Sequence, residues 1–290
     1  MPTENKNINK KVSLVLSGGG ARGMAHIGVI EELENQGYQI VSIAGTSMGA
    51  LVGGFYAMGK LTEFKEWLLK IDKIKIVNLL DFSISTSGLI KGNKIINRLK
   101  KIAPDQNIED LKIPYAAVAA DLNNFDEVVF TSGSIYEAIR ASISIPTAFI
   151  PVRKRNTLLV DGGIVNNIPV DRVKRFTDDI LIVVDVSSNV PKIKNSSATK
   201  TTNKTISNFK KQLSAIKKLP AFSENKKVGF FELINKTISF MTYNTSKFVI
   251  KENPPDYFIK ISKESCGMFD FYKAKEIIDV GKISTIKTLS

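Results

Sequence analysis

A serine flanked by glycines, Gly45-Thr46-Ser47-Met48-Gly49, joins two segments of different character. Residues 40–44 before it form a β-branched apolar run, and residues 50–58 after it are compatible with a helix. A strand that reverses sharply into a helix needs glycines at the turn, here Gly45 and Gly49, because a Cβ would crowd the backbone. The pattern therefore predicts a nucleophile elbow, with the Ser47 hydroxyl exposed at a helix N-terminus.

A glycine-rich loop, Ser17-Gly18-Gly19-Gly20-Ala21-Arg22-Gly23, lies one strand and one helix earlier. Adjacent glycines leave backbone N–H groups unshielded, so these groups can converge on an anion at the N-terminus of the helix predicted over 24–36. A dinucleotide loop would need an acidic residue at the end of the next strand, and a Walker loop would need Gly-Lys-Ser/Thr, but both are absent. We favour an oxyanion hole for a nearby nucleophile, with a tight turn that binds no ligand as the alternative.

The base that would activate Ser47 is constrained by the histidine count. The chain has one histidine, His26, in the first turns of the helix after the glycine loop. A packed or capping role is favoured for His26 at that position. Without a histidine base, a carboxylate must take the serine proton directly, which defines a Ser-Asp dyad.

Asp161 is the candidate carboxylate. It ends the short apolar run 158–160 and precedes Gly162 and Gly163, so its backbone can approach another element closely. Two other carboxylates also follow predicted strands, and turn or capping roles are favoured for them: Asp121 and Asp185.

In this order, Gly-Gly-Gly-Ala-Arg-Gly, Gly-Thr-Ser-Met-Gly and Asp-Gly-Gly resemble the patatin-like phospholipase family. Residues 141–146 and 166–169 resemble further blocks of that family, and the match is specific from about residue 11 to 185. The resemblance implies Ser47 as nucleophile, Asp161 as its partner, and hydrolysis of lipid acyl esters without a metal or other cofactor. It also implies an oxyanion hole formed by five residues of the loop: Gly18, Gly19, Gly20, Arg22 and Gly23.

The order of predicted elements indicates an α/β fold with three layers. Strands that alternate with helices favour a mainly parallel sheet covered by helices on both faces, as the family resemblance also implies. Active loops then belong at the carboxyl ends of the strands. We expect a single patatin-like domain over 1–290, with a motif-bearing core at about 11–185, a basic and partly mobile lid or surface segment at 192–251, and a closing strand and helix at 256–289.

Positive charge is concentrated in the segment 192–251, which holds 13 lysines and two acidic residues of a chain with net charge +13. A mobile loop is predicted over 194–203, and two amphipathic stretches follow. Docking on an anionic membrane and packing on the core with a solvated lysine face are equally favoured. Nucleic acid is not an expected partner, since no recognition module is present. The apolar positions are Phe209, Leu213, Ile216 and Leu219 in the first stretch and Phe230, Leu233, Ile234, Met241 and Phe248 in the second.

Two function classes remain open. The first is a serine acyl hydrolase acting on a lipid ester, and the second is a regulatory or partner-binding protein with little or no activity on the same fold. Candidate walls for an acyl pocket are Phe55, Phe149 and Phe269. One cysteine, no secretory signal and no membrane-spanning run predict a cytoplasmic location, with peripheral attachment to the inner membrane face if the segment 192–251 docks on lipid. The sequence leaves the oligomeric state open.

Overall fold

The computed structural model describes residues 10–81, 88–193 and 230–290. The strands are β1 (Lys10–Leu16), β2 (Tyr38–Thr46), β3 (Gly88–Ile90), β4 (Tyr115–Asp121), β5 (Asp126–Phe130), β6 (Thr147–Phe149), β7 (Val152–Lys154), β8 (Thr157–Asp161), β9 (Ile180–Ser188) and β10 (Tyr257–Ser262). The helices are α1 (Ala25–Asn35), α2 (Met48–Ala57), α3 (Leu61–Leu69), α4 (Lys73–Leu79), α5 (Asn93–Lys100), α6 (Ile135–Ser142), α7 (Phe230–Glu252) and α8 (Ala274–Leu289).

The main sheet has the order β10-β9-β1-β2-β4-β8-β7, and β5 also pairs with β4. The five strands from β10 to β4 are parallel, whereas β5, β7 and β8 pair antiparallel with their neighbours. The short strands β3 and β6 form a separate parallel pair. The prediction of a mainly parallel α/β sheet is therefore confirmed.

Alternate residues of the central strands are buried on opposite faces of the sheet. On one face, Leu14 and Val184 belong to the large apolar cluster that also includes residues of α1, α2, α3 and α8. On the other face, Val15 and Val183 pack with the segment 168–173 and with the C-terminal part of α7. Because both faces are covered, the central strands are apolar nearly throughout, as expected for a parallel sheet.

Strand β8 runs against the direction of β4, which places its last residue at the end of the sheet where β2 ends. Thr46 at the end of β2 pairs with Val118, and Asp161 pairs with the next residue of β4, Ala119. The rule that functional loops follow the carboxyl ends of parallel strands therefore accounts for the loops after β1 and β2. Asp161 reaches the same edge because β8 is short and offset along β4.

Several element boundaries differ from the sequence prediction. β9 continues to Ser188, beyond the predicted end at residue 184, because its carboxyl half still pairs with β10. The closing helix, predicted from residue 271, begins at Ala274, since residues 271–273 form a 3-10 turn. The predicted helix start at Ser134 is confirmed, because the Ser134 side chain accepts a hydrogen bond from the Glu137 N–H and caps α6.

The basic segment is described in part. The predicted loop at 194–203 and the first amphipathic stretch, 209–219, lie outside the described residues. The second stretch forms α7, but the predicted apolar positions Leu233, Met241 and Phe248 are exposed, whereas Val249 and Ile250 pack against the core. Among the described helices, none is both long enough and apolar enough to cross a membrane.

Candidate active site

Ser47 occupies a sharp turn between β2 and α2. Its backbone has φ 54° and ψ −120°, a left-handed conformation that costs a non-glycine residue on the order of 1–3 kcal/mol. Gly49 lets the helix start against the first strand, since a Cβ there would lie 2.1 Å from the Leu16 carbonyl oxygen. Gly45 meets the same constraint, with a Cβ position 2.6 Å from the Gly49 oxygen. The strained serine is therefore held by close backbone packing on both sides.

A second serine supports the turn from α6. The Ser47 N–H donates to Ser142 Oγ at 2.8 Å, and the Ser142 hydroxyl donates to the Val118 carbonyl at 2.6 Å. This chain ties the apex of the turn to the neighbouring strand β4. Sequence analysis placed Ser142 in a family-like block without giving it a role.

The structure brings Ser47 and Asp161 into direct contact. Ser47 Oγ donates to Asp161 Oδ2 at 2.5 Å, and both side chains are buried. The second carboxylate oxygen, Oδ1, accepts the Gly163 N–H at 2.8 Å. The Asp161 N–H donates to the Ser144 carbonyl at 2.9 Å, so α6 and the residues after it hold both members of the pair. The contact places a hydrogen-bond acceptor directly beside the serine hydroxyl.

Burial governs the charge state of Asp161. It raises the pKa of the carboxyl group from 3.8 to about 6, while the hydrogen bonds from Ser47 and Gly163 act in the opposite direction. The buried position of Asp161 requires a glycine after it, because a Cβ on Gly162 would lie 2.4 Å from the Val118 carbonyl oxygen. At neutral pH the group is therefore ionised and more basic than an ordinary aspartate.

The three loop glycines have different environments. The Gly18 N–H donates to the Asn167 carbonyl at 3.2 Å, and a Cβ on Gly18 would lie 3.1 Å from Ser47 Cβ. Among the described residues, the N–H groups of Gly19 and Gly20 have no acceptor, and both glycines line the cavity that contains Ser47. Gly18 therefore brings the loop close to the serine, while Gly19 and Gly20 offer the free donors.

The other two residues predicted for the oxyanion hole make different contacts. Gly23 packs under α2, where a Cβ would lie 2.4 Å from Met48 Cγ, and it is not among the described residues that line the cavity. Arg22 does line it, and its guanidinium donates to Ser187 Oγ at 3.3 Å and to the Lys263 carbonyl at 3.5 Å. Burial lowers the pKa of Arg22. Arg22 thus adds a cation to the cavity wall, and Gly23 serves packing.

His26 lies beneath the glycine loop, and in the described part of the chain no hydrogen bond joins it to Ser47. It is fully buried, and its Nε2 donates to the Ser17 carbonyl at 2.8 Å. Burial lowers the pKa of His26 to about 4, so the ring is neutral at pH 7. The packed role that the sequence favoured for His26 agrees with these contacts.

Of the two other carboxylates, Asp121 ends β4 and acts as a turn residue, as predicted, whereas Asp185 lies within β9, so the turn or capping role predicted for it is wrong. Asp121 accepts hydrogen bonds from the N–H groups of Asn123 and Leu158. Asp185 accepts the Ser187 N–H at 2.8 Å and the Ser188 hydroxyl, and it also lines the cavity near Arg22. Within the described ranges, no group of three or more His, Cys, Asp or Glu side chains could hold a metal ion.

Two cavities meet at Ser47. The larger, about 580 Å³, is bounded by the glycine loop, the end of β9 and the inner face of α7, and it contains polar as well as apolar side chains. The smaller, about 200 Å³, is lined almost wholly by apolar side chains from α2 to α5 and from residues 268–271. Both include Ser47, Gly20, Ile145 and Met268. Of the three phenylalanines predicted for an acyl pocket, Phe149 and Phe269 line the smaller cavity, whereas Phe55 is buried in the core.

The chain is similar in sequence to a known protein family. Residues 14–174 match the family model for patatin-like phospholipase. Two uncharacterized NTE family proteins, one of Mycobacterium tuberculosis and one of Mycobacterium bovis, are 33% identical to the chain and align with 96% of it and 91% of their own length. Patatin-like phospholipase domain-containing protein 6 of Mus musculus is 27% identical over 93% of the chain and 20% of its own length. Among solved structures, VipD from Legionella pneumophila aligns with a TM-score of 0.46 and 13% identity over 96% of the chain and 66% of its own.

Proposed function

The chain belongs to the patatin-like phospholipase family, and we propose that it is a serine acyl hydrolase that cleaves a carboxylic ester bond of a membrane lipid. Family membership supports lipid hydrolase activity in general. The observation that carries the specific mechanism is the 2.5 Å hydrogen bond from Ser47 Oγ to Asp161 Oδ2. This hydrogen bond joins a candidate nucleophile to a candidate base, and a mechanism based on this pair requires no histidine.

In the first half of the reaction, Asp161 takes the hydroxyl proton of Ser47 as the serine oxygen forms a bond to the ester carbonyl carbon. A base is most effective when its pKa lies near the working pH, and a pKa of about 6 brings Asp161 closer to neutrality than an ordinary aspartate. The carbonyl oxygen becomes an oxyanion. The N–H groups of Gly19 and Gly20 are the donors available to it, and loss of one such donor costs about 3 kcal/mol of transition-state stabilisation.

Collapse of the tetrahedral intermediate breaks the bond to the leaving alcohol, which takes the proton back from Asp161. The acyl group then remains on Ser47. Water attacks this acyl-enzyme, gives a proton to Asp161, and releases the fatty acid as the proton returns to the serine oxygen. The carboxylate therefore acts as base and then acid in each half of the reaction, while its other oxygen can keep the hydrogen bond from the Gly163 N–H.

The two cavities support a lipid as the substrate. A single acyl chain suits the smaller cavity, because its walls are apolar and it opens beside Ser47. The alcohol part of the ester then occupies the larger cavity, where Arg22 and Asp185 provide charge of both signs. Phospholipids and lysophospholipids have this division between one apolar end and one polar end.

Fluorophosphonate labelling combined with p-nitrophenyl ester turnover tests the mechanism. We expect Ser47→Ala to abolish labelling and turnover, and Asp161→Asn to lower turnover by at least about a thousandfold, since the base is lost. His26→Gln should keep most of the activity, because an amide can still donate toward the Ser17 carbonyl. If the Asp161→Asn protein turned over esters as fast as the wild type, the proposed dyad would be overturned.

A glycine pair tests the donors separately. Gly20→Ala places a Cβ 2.6 Å from the Met268 carbonyl at a φ of +57°, so the loop must move and turnover should fall roughly a hundredfold or more. Gly59→Ala is the matched control, because it has a φ of +67° but open space around it. Equal losses in both variants would point to general destabilisation and contradict the assignment. A correctly folded wild-type protein that neither labels nor turns over would instead favour a partner-binding role.

A further inference from the structure

Helix α7 has two faces with different surroundings. Its inner face closes one side of the larger cavity, and Thr242 Oγ1 donates to the Gly163 carbonyl at 2.8 Å. Near its C-terminus, Val249 and Ile250 pack against the buried cluster on the sheet. The helix is therefore attached to the body of the protein beside the Asp161 turn.

The outer face of α7 is exposed, and four large apolar side chains lie on it together with the polar Thr237 and Asn244. Leu233, Phe240, Met241 and Phe248 expose 56%, 70%, 54% and 66% of their surface. Leu233 and Phe240 are seven residues apart, as are Met241 and Phe248, so the four side chains form two adjacent rows on one side of the helix. Phe240 also lines the larger cavity, which places this apolar face at the cavity rim.

Lysines outnumber acidic residues along this face. Lys247 and Lys251 are exposed and follow Phe240 by seven and eleven residues, so they continue the same row. No acidic residue occurs from Leu233 to Lys251, and one acidic residue, the exposed Glu252, ends the helix. A helix with exposed aromatic and aliphatic side chains beside lysines has the chemistry of an interfacial helix, which inserts its apolar side chains while its cations meet anionic head groups.

We propose that the outer face of α7 docks on an anionic lipid bilayer and places the rim of the larger cavity against the membrane. The position of Phe240 argues for a bilayer, because the apolar side chains that would enter the lipid border the cavity that contains Ser47. The proposal concerns binding alone and does not depend on catalysis. It can therefore be tested with the Ser47→Ala protein, separately from the proposed function.

Vesicle flotation tests the proposal. The full chain carrying Ser47→Ala should bind vesicles of phosphatidylcholine mixed with phosphatidylglycerol, should lose binding as salt is raised, and should bind pure phosphatidylcholine poorly. Lys247→Glu with Lys251→Glu should weaken binding at least roughly tenfold, because two attractive charges become repulsive. Phe240→Ser with Phe248→Ser should weaken it by a similar factor at every salt concentration.

Matched controls lie at the opposite edge of the sheet. Lys10→Glu with Lys112→Glu changes the same amount of charge at exposed positions near the amino ends of β1 and β4. Phe176→Ser removes an exposed phenylalanine that precedes β9. These variants should bind like the parent protein. Losses as large as those of the α7 variants, or a parent protein that does not bind anionic vesicles at low salt, would overturn the proposal. The proposal would also be overturned if the parent protein formed dimers without lipid and Phe240→Ser with Phe248→Ser abolished them. That result would show that the outer face of α7 binds a second copy of the chain.

Discussion

At the scale of single residues, the candidate site contains a buried carboxylate whose ionised form is destabilised by burial. Asp161 is buried against Ser47 with two hydrogen bonds to its oxygens, and burial still raises its pKa to about 6. The folded protein therefore binds the proton more tightly than the unfolded chain, where an aspartate titrates near 4. The raised pKa that the proposed mechanism uses therefore lowers the stability of the folded state at neutral pH.

We predict that Asp161→Asn stabilises the protein at pH 7 while it removes activity. A pKa raised by about two units corresponds to about 3 kcal/mol, which is an upper limit because asparagine also changes the bond to Ser47. Between about pH 4 and 6 the folded state holds more protons than the unfolded state, so the wild-type contribution falls as pH rises through this window. Urea unfolding of both proteins at pH 4 and pH 7 measures the difference.

The difference between mutant and wild type should be small near pH 4, where the Asp161 carboxyl is protonated in the folded state and about half protonated in the unfolded state, and largest above pH 6. Asp126→Asn, at an exposed position at the start of β5, controls for the exchange itself. A difference for Asp161→Asn that does not change between the two pH values would contradict the prediction.

The sequence predicted part of the site because two motifs carry it locally. Ser47 and Asp161 stand in short patterns whose glycines have a direct geometric reason. Ser142 and Asn167 escaped a functional assignment because their contacts, to the Ser47 N–H and the Gly18 N–H, depend on residues far away in the chain. The sequence also could not predict which loop glycines keep a free N–H group, because that depends on acceptors contributed by distant parts of the chain.

At the scale of elements, two features were beyond sequence patterns. β8 has five residues and the direction of so short a strand depends on its pairing with β4, so its antiparallel course was not predicted. In α7, Leu233, Met241 and Phe248 are exposed, whereas small polar residues such as Thr242 and Ser246 line the cavity together with a few larger ones. Periodicity identifies an amphipathic helix, but it does not say which face meets the protein.

The apolar cavity between α2, α3 and α5 gives an element-scale prediction. Ile71, which follows α3, lines this cavity and is half-buried, so Ile71→Trp should fill part of its volume of about 200 Å³. We expect the preferred chain length of p-nitrophenyl esters to become shorter, with turnover of short esters nearly unchanged. Ile286→Trp makes the same exchange at an exposed position of α8 and should leave the profile as it is. An unchanged profile for Ile71→Trp would argue against this cavity as the acyl site.

At the scale of the whole molecule, the residues beyond the family match complete the core. β10 pairs with β9, and α8 packs against α1 so closely that a Cβ on Gly28 would lie 1.9 Å from the Ile278 oxygen. On the other helix, a Cβ on Gly281 would lie 2.0 Å from the Ala25 oxygen. These close backbone contacts at two glycines tie the C-terminal helix to the helix that follows the glycine loop. A single domain over 1–290 stays a prediction, and this contact is the place to test it.

Gly281→Ala should destabilise the entire protein. In an isolated helix the exchange gains up to about 1 kcal/mol, but a contact of 2.0 Å with backbone forces α8 away from α1, and such overpacking costs about 1–3 kcal/mol. The one tryptophan, Trp67 on α3, stacks on Phe64 and reports on the motif-bearing part of the chain. In urea, Trp67 fluorescence and far-UV circular dichroism should shift together to lower midpoints, because one cooperative unit loses its structure at once. Lys287→Ala, exposed on the same helix, should leave both midpoints in place. A fluorescence transition that keeps its wild-type midpoint in Gly281→Ala while the dichroism shifts would show that the closing helix unfolds independently, and would divide the chain into two units.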